Sequence, residues 1–143
     1  MRIGCNVRDV QQAEAVIQHG LDYIEMNLCR LMEMNEESFA RFAARIDAAP
    51  IKIEVFNLLL PLDGSIPLIG PKADEAQQRA YFERAFPRAV RMGADMMVFG
   101  SASARAVPLG YDPEQAHEEL VVFMRRLMEY AERYHITMVI EPV

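Results

Sequence analysis

The stretch CNVRDVQQ, Cys5 to Gln12, lies where a first apolar run gives way to a first amphipathic one, and it separates two α/β architectures. A doubly wound sheet that binds a dinucleotide carries G-x-G-x-x-G at this junction, because glycines there let the backbone close on a pyrophosphate. Residues 5–12 contain no glycine and no Walker pattern. A later small, polar stretch, GSASAR at residues 100–105, lacks the spacing as well. Parallel βα units without a phosphate loop after the first strand fit the opening portion of an eight-stranded barrel, a fold that typically needs about 250 residues.

The rest of the chain repeats the same alternation. The first apolar run is Arg2 to Val7. Asp9 and Gln12 then form a candidate capping box, Ala13, Val16 and Ile17 follow at helical spacing, and Gly20 is a natural stop. The second run is LDYIEMNL, residues 21–28. Asn35 is placed to cap a helix whose apolar face is Phe39, Phe42, Ala43 and Ile46, and Pro50 ends that segment. The third run, IKIEVFNLLLP, closes at Pro61. Residues 63–71 hold two glycines and two prolines and read as a long βα loop, the kind that tends to carry function. The spacing predicts a helix from about Asp74 to Met92, kinked or broken at Pro87. ADMMVFGSA is the fourth run. Asp112, Pro113 and Gln115 then give an N-cap, a first-turn proline and a capping partner for a long helix with Leu120, Phe123, Met124, Leu127 and Ala131 on one face. ITMVIEPV is the fifth run. GLDYIEM and GADMMVF repeat one form, a helix-ending glycine and a turn-closing aspartate before a strand. The order βαβαβαβαβ implies right-handed crossovers and a parallel sheet, with no linker between domains.

Composition narrows the partners. A formal net charge of −6 over 143 residues disfavours nucleic acid and anionic membranes, which are held by an excess of Lys and Arg. Cys5 and Cys29 have no C-x-x-C spacing, and the N-terminus MRIGCNV runs straight into structure, so a cytoplasmic setting is expected. No apolar run is long enough to span a bilayer.

In a parallel α/β fold the chemistry gathers at the carboxyl ends of the strands. Those ends carry Asn6, then Glu25 and Asn27, then Asn57, then Gly100, Ser101 and Ser103, and last Glu141. Carboxylates and amides around one mouth suit a hard divalent cation or a polyhydroxylated substrate. Each residue also has a plainer reading. Glu25 can pair with a nearby Arg or Lys, and Asn57 can cap the loop that follows it. Arg105 can reach a phosphate or sugar hydroxyl or stay a solvated loop side chain, Asn6 can be structural, and Glu141 can be one more charged residue near a terminus. His19, His117 and His135 lie on helices or at their ends, away from the mouth.

Four stretches, DYIEMNL, VFNLLLP, MVFGSASARAVPLGYD and ITMVIEPV, resemble the sugar phosphate isomerase/epimerase family of xylose isomerase-like TIM barrels. The resemblance covers the whole chain in order and the first five of that family's eight strands. It implies that residues 1–143 form one partial barrel domain, incomplete after its fifth strand. The stop after Val143 accordingly reads as a truncation in mid-barrel. It further implies that Glu141 is a catalytic proton carrier and a ligand to Mn²⁺ or Mg²⁺, with Zn²⁺ or Co²⁺ as lesser candidates. Asn6, Glu25, Asn57, Ser101 and Arg105 become candidate contacts to a sugar or sugar phosphate. The implied chemistry is proton transfer next to a ketose carbonyl, performed by the whole barrel and not by this chain alone. Two alternatives remain at this point. One is a non-catalytic half-barrel that associates with itself through exposed sheet edges. The other is an endonuclease IV-like metal enzyme, against which the acidic charge and the histidine-free strand ends both count.

Overall fold

The structure, a computed structural model, describes residues 1–142. Its elements are β1 (Gly4–Val7), α1 (Val10–Ile17), β2 (Tyr23–Asn27), α2 (Leu28–Glu33), α3 (Glu36–Asp47), β3 (Ile53–Asn57), α4 (Glu75–Met92), β4 (Met96–Phe99), α5 (Pro113–Tyr134) and β5 (Thr137–Ile140). All neighbouring strands pair in parallel, in the order β1-β2-β3-β4-β5. A doubly wound sheet reverses its strand order partway; this one never does. Right-handed crossovers in an unreversed order put every helix on one face, which is barrel geometry.

Side chains alternate between the two faces of each strand. Val7, Ile24, Met26, Ile53, Phe56, Met97 and Phe99 face the helices, each at most 1% exposed. Burying a side chain of this size contributes about 2 kcal/mol. Over β4 the core is aromatic: Phe99 lies 5.6 Å from Phe123 of α5, and Phe82 of α4 lies 5.9 Å from the same ring. The opposite face carries Asn6, Glu25, Asn27, Val55, Asn57, Val98 and Val139, all partly or fully exposed. At the two edges of the described sheet, Ile3, Val139 and Ile140 are 51%, 38% and 60% exposed.

Side-chain caps start four helices. Asp9, Asn35, Asp74 and Asp112 each accept from a backbone N–H in the first turn of α1, α3, α4 and α5. Gly93 ends α4 at φ 102°, a left-handed conformation that suits glycine. Two expected capping partners act otherwise. Gln12 accepts from Arg8 N–H at 2.9 Å, one residue before the cap, and Gln115 donates to the Tyr111 hydroxyl at 2.7 Å.

The expected break at Pro87 does not occur, and α4 runs without interruption through it. The proline's cost of about 3 kcal/mol is offset by the burial of Phe82, Phe86 and Ala89 on the same helix, held at its ends by Asp74 and Gly93. The second strand is also shorter than its apolar run, because Leu28 starts α2. Arg88, 5% exposed, closes that short helix by donating to the carbonyls of Leu31 and Met34 at 3.0 and 2.9 Å. No helix among the described residues is long and apolar enough to cross a membrane.

Candidate functional site

Strand register builds the mouth. Asn6 lies opposite Glu25, and an irregularity between Ile24 and Glu25 sets Asn27 opposite Asn57. Asn6, Glu25 and Asn57 therefore converge on the face away from the helices. The Glu25 carboxylate accepts from both amides at one oxygen, at 2.8 Å from Asn6 Nδ2 and 2.5 Å from Asn57 Nδ2. An ionised carboxylate only accepts, so it fixes which end of each amide turns toward it. The alternative reading of Glu25, a pair with Arg or Lys, is not seen: among the described residues it forms no ion pair. Asn57 Oδ1 is buried with no hydrogen-bond partner. The next residue, Leu58, has φ 48°, a strained conformation for a non-glycine residue. An orphaned acceptor costs about 1–3 kcal/mol, and local costs of this kind cluster at functional sites.

The β4–β5 side is built differently. Gly100 follows β4, and a Cβ added there would lie 2.4 Å from Glu141 Oε2. Glycine at this position is what lets the Glu141 side chain lie across the end of β4. Glu141 N–H continues the ladder to Phe99 O at 3.1 Å. Arg105 approaches from the side of the helices: its guanidinium lies 5.1 Å from the centre of the Phe99 ring and donates to the backbone carbonyl of Glu141 at 3.2 Å. Arg105 Nε is buried without a partner. Arg105 thus steadies the end of β5 through its backbone and makes no ion pair with the Glu141 carboxylate.

Ser101, expected as a substrate contact, is 2% exposed, and its hydroxyl accepts from Leu60 N–H at 3.0 Å. It ties the loop after β3 to the loop after β4. A second tie lies further out. Glu119 of α5 accepts from Gly70 N–H at 2.7 Å and from the Tyr111 hydroxyl at 2.6 Å. Those bonds, Gly70 first, hold the Glu119 carboxyl below its ordinary value. The structure thus brings Asn6, Glu25 and Asn57 together, places Glu141 beside Gly100, and turns Ser101 and Arg105 to support.

Two clefts adjoin the β1–β3 end. One, of about 1000 Å³, is lined by Arg8, Asn27, Arg30, Asn35 and Leu58 among others. The other, of about 410 Å³, includes Cys29, Glu33, Ser65 and Tyr81. Burial pushes the Cys29 thiol and the Tyr81 hydroxyl up, and Tyr81 OH has no partner. Neither cleft is legible in the sequence, since each joins α2 to segments distant in the chain. For a divalent ion, Glu141 fits as one oxygen donor. No three His, Cys, Asp or Glu side chains gather to complete such a site among the described residues.

Five parallel strands alternating with helices, with polar strand ends on one mouth, define the first part of an α/β barrel. Residues 13–143 match the xylose isomerase-like TIM barrel family, and the chain belongs to it. No curated protein sequence matches significantly. Among solved structures, D-psicose 3-epimerase in the presence of D-fructose is similar at TM-score 0.77 and 16% identity, over 100% of this chain and 53% of that one. The IolI protein with a binding zinc atom is similar at 0.64 and 20%, over 98% and 51%. An AP endonuclease, family 2, from Brucella melitensis is similar at 0.69 and 14%, over 99% and 56%. At these identities the likeness shows the fold. The chain spans about half the length of each of these structures and corresponds to the first half of the barrel.

Proposed function

We propose that this chain supplies the first five strands, as one partial barrel domain, of a sugar or sugar-phosphate isomerase or epimerase. The observation that carries the reading is Glu141, a carboxylate at the mouth on the last described strand, with a glycine beside it that leaves room for its side chain. A carboxylate there takes a proton from the carbon next to a ketose carbonyl. The electron pair left behind moves onto the carbonyl oxygen as an enediolate, and a second base across the sugar returns a proton. Asn6, Glu25 and Asn57 hold the sugar at the other side of the mouth. Glu141 would also serve as one ligand to Mn²⁺ or Mg²⁺, with the other ligands outside these residues, and the ion would supply positive charge to the developing oxyanion. The two free thiols, Cys5 and Cys29, suit a reducing, cytoplasmic setting.

The test is solvent exchange in the native polypeptide that carries these residues. In deuterated water with a ketose and Mn²⁺, deuterium should enter at the carbon next to the carbonyl. Glu141→Gln should slow entry by about 10²–10⁴-fold, the usual contribution of a positioned acid–base group. Unchanged exchange in Glu141→Gln overturns the assignment.

A second reading rests on the exposed edge residues Ile3, Val139 and Ile140. Unpaired parallel edges recruit another strand, so the 143-residue chain by itself self-associates. Sedimentation across a concentration series tests this, and a monomer at all concentrations sinks it. The net charge of −6 and the carboxylates of the mouth oppose a nucleic-acid substrate.

A further inference from the structure

We propose that Glu25, set by Asn6 and Asn57, forms a subsite for uncharged sugar hydroxyls that rejects a phosphate group. This rests on the sugar isomerase or epimerase reading above and deepens it.

Glu25 Oε1 is occupied by two amide donors, which leaves Oε2 without a protein donor and with the negative charge of the group. No Lys or Arg neutralises it, since none of the ion pairs of the described residues includes Glu25. The strand positions of the same face bear no cation either: Asn6, Glu25, Asn27, Val55, Asn57, Met96, Val98, Thr137 and Val139 alternate with the helix-facing residues. Glu141 adds a second carboxylate at the far side of the mouth. Arg105 lies over Phe99 and donates to the backbone carbonyl of Glu141, not to its carboxylate. Arg8 and Arg30 line the adjoining cleft; Arg30 pairs with Glu33 at 2.8 Å, and Arg8, one residue past β1, makes no ion pair among the described residues.

A ligand group that settles on Glu25 must bring a donor and must not bring an anion. A sugar hydroxyl does both, and its bond to an ionised carboxylate is of the stronger, charge-assisted kind. A phosphate monoester carries close to two negative charges and no donor of comparable strength near neutral pH, so it meets like-charge repulsion. The group is also held stiffly, which a hydroxyl-reading site requires. Register places Asn6 directly opposite Glu25, and the buried Asn57 Oδ1 and strained Leu58 mark a backbone held against its local preference.

The test uses the native polypeptide and two probes, D-fructose and D-fructose 6-phosphate, with calorimetric binding and epimerisation read separately. The subsite predicts that the free sugar binds at least about tenfold tighter than its phosphate. Glu25→Gln, which turns Oε2 into an N–H donor and removes the charge, should narrow that ratio by about tenfold. Arg8→Gln, in the neighbouring cleft, should leave it unchanged. If Glu25→Gln fails to fold, Asn27→Asp, on the same face at the N-cap of α2 and without a hydrogen bond to Glu25, adds a separate second charge and should widen the ratio. Tighter binding of the phosphate, lost in Arg8→Gln, overturns the subsite while the epimerase reading stands. Failure of both probes to bind or react, together with no exchange for any ketose, overturns the epimerase reading and the subsite with it.

Discussion

The two ends of the mouth are built on opposite plans. At β1–β3 the carboxylate is held within the chain at one oxygen, by two amides that strand register delivers to it. At β4–β5 the carboxylate is free of hydrogen bonds from other described side chains and lies over a glycine, while its own backbone is what Arg105 holds. On the proposed reading, the first arrangement fixes a group that reads a ligand. The second leaves a group able to move a proton or share an ion. A rigid reader and a free carrier on one sheet are what a proton-transfer site on a flexible, hydroxyl-rich substrate needs.

The comparison breaks most sharply at Asn57. Asn57→Asp replaces an amide donor with a second carboxylate against Glu25, and no cation is present to separate them. One of the two carboxyls is then held protonated in the fold, with its value raised. A raised folded value means a cost that is present above the ordinary carboxylate range and disappears as pH falls below it. We expect a loss of about 3 kcal/mol near neutral pH, largely recovered near pH 4, measured by urea unfolding at both. Equal losses at the two pH values would show that the site tolerates the charge. At the other end, Gly100→Ala meets only the tip of a flexible side chain, so stability should hold. The displaced Glu141 carboxylate should lower turnover by about 100-fold, read by the same deuterium exchange beside a thermal melt.

Ser101 links the two ends, and its removal is a smaller perturbation. Ser101→Ala leaves Leu60 N–H without its acceptor and should cost about 1–2 kcal/mol in unfolding free energy. The smallest effect belongs to Glu119. Its carboxyl is depressed by Gly70 N–H, so its contribution is in place above the ordinary carboxylate value and is lost as pH falls through the lowered one. Glu119→Gln should flatten that acid limb and leave stability near neutral pH little changed, seen as a denaturation midpoint followed from about pH 6 to pH 3. An acid limb of unchanged slope would place the coupling elsewhere.

The order of strands and helices was legible because hydrophobic period is a local property, and the absence of a phosphate loop at Cys5–Gln12 already pointed to a barrel. Pro87 does not break α4, because the local rule weighs one residue whereas Phe82, Phe86 and Ala89 pack as a set. The short helix α2 was missed because Asn27 makes no side-chain cap and the apolar run continues through Leu28. At the mouth, the strand-end residues could be read from sequence, but their partners could not. Glu25 meets the Asn6 amide through the β1–β2 register and the Asn57 amide after an irregular step in the β2–β3 ladder shifts the pairing by one. Arg105 reaches the backbone of a residue 36 positions away, a contact that only the alignment of β4 with β5 creates.

The unreversed strand order has a bearing on how the chain is made. Each strand pairs with the one synthesised just before it, so no strand must wait for a partner still inside the ribosome. At about 5–20 residues per second, a new βα unit emerges every few seconds, far longer than a helix or a strand pair takes to form. The sheet can therefore lengthen one strand at a time during translation, with β5 as the growing edge. Protease protection of ribosome-bound chains of increasing length should rise in steps, one for each strand added.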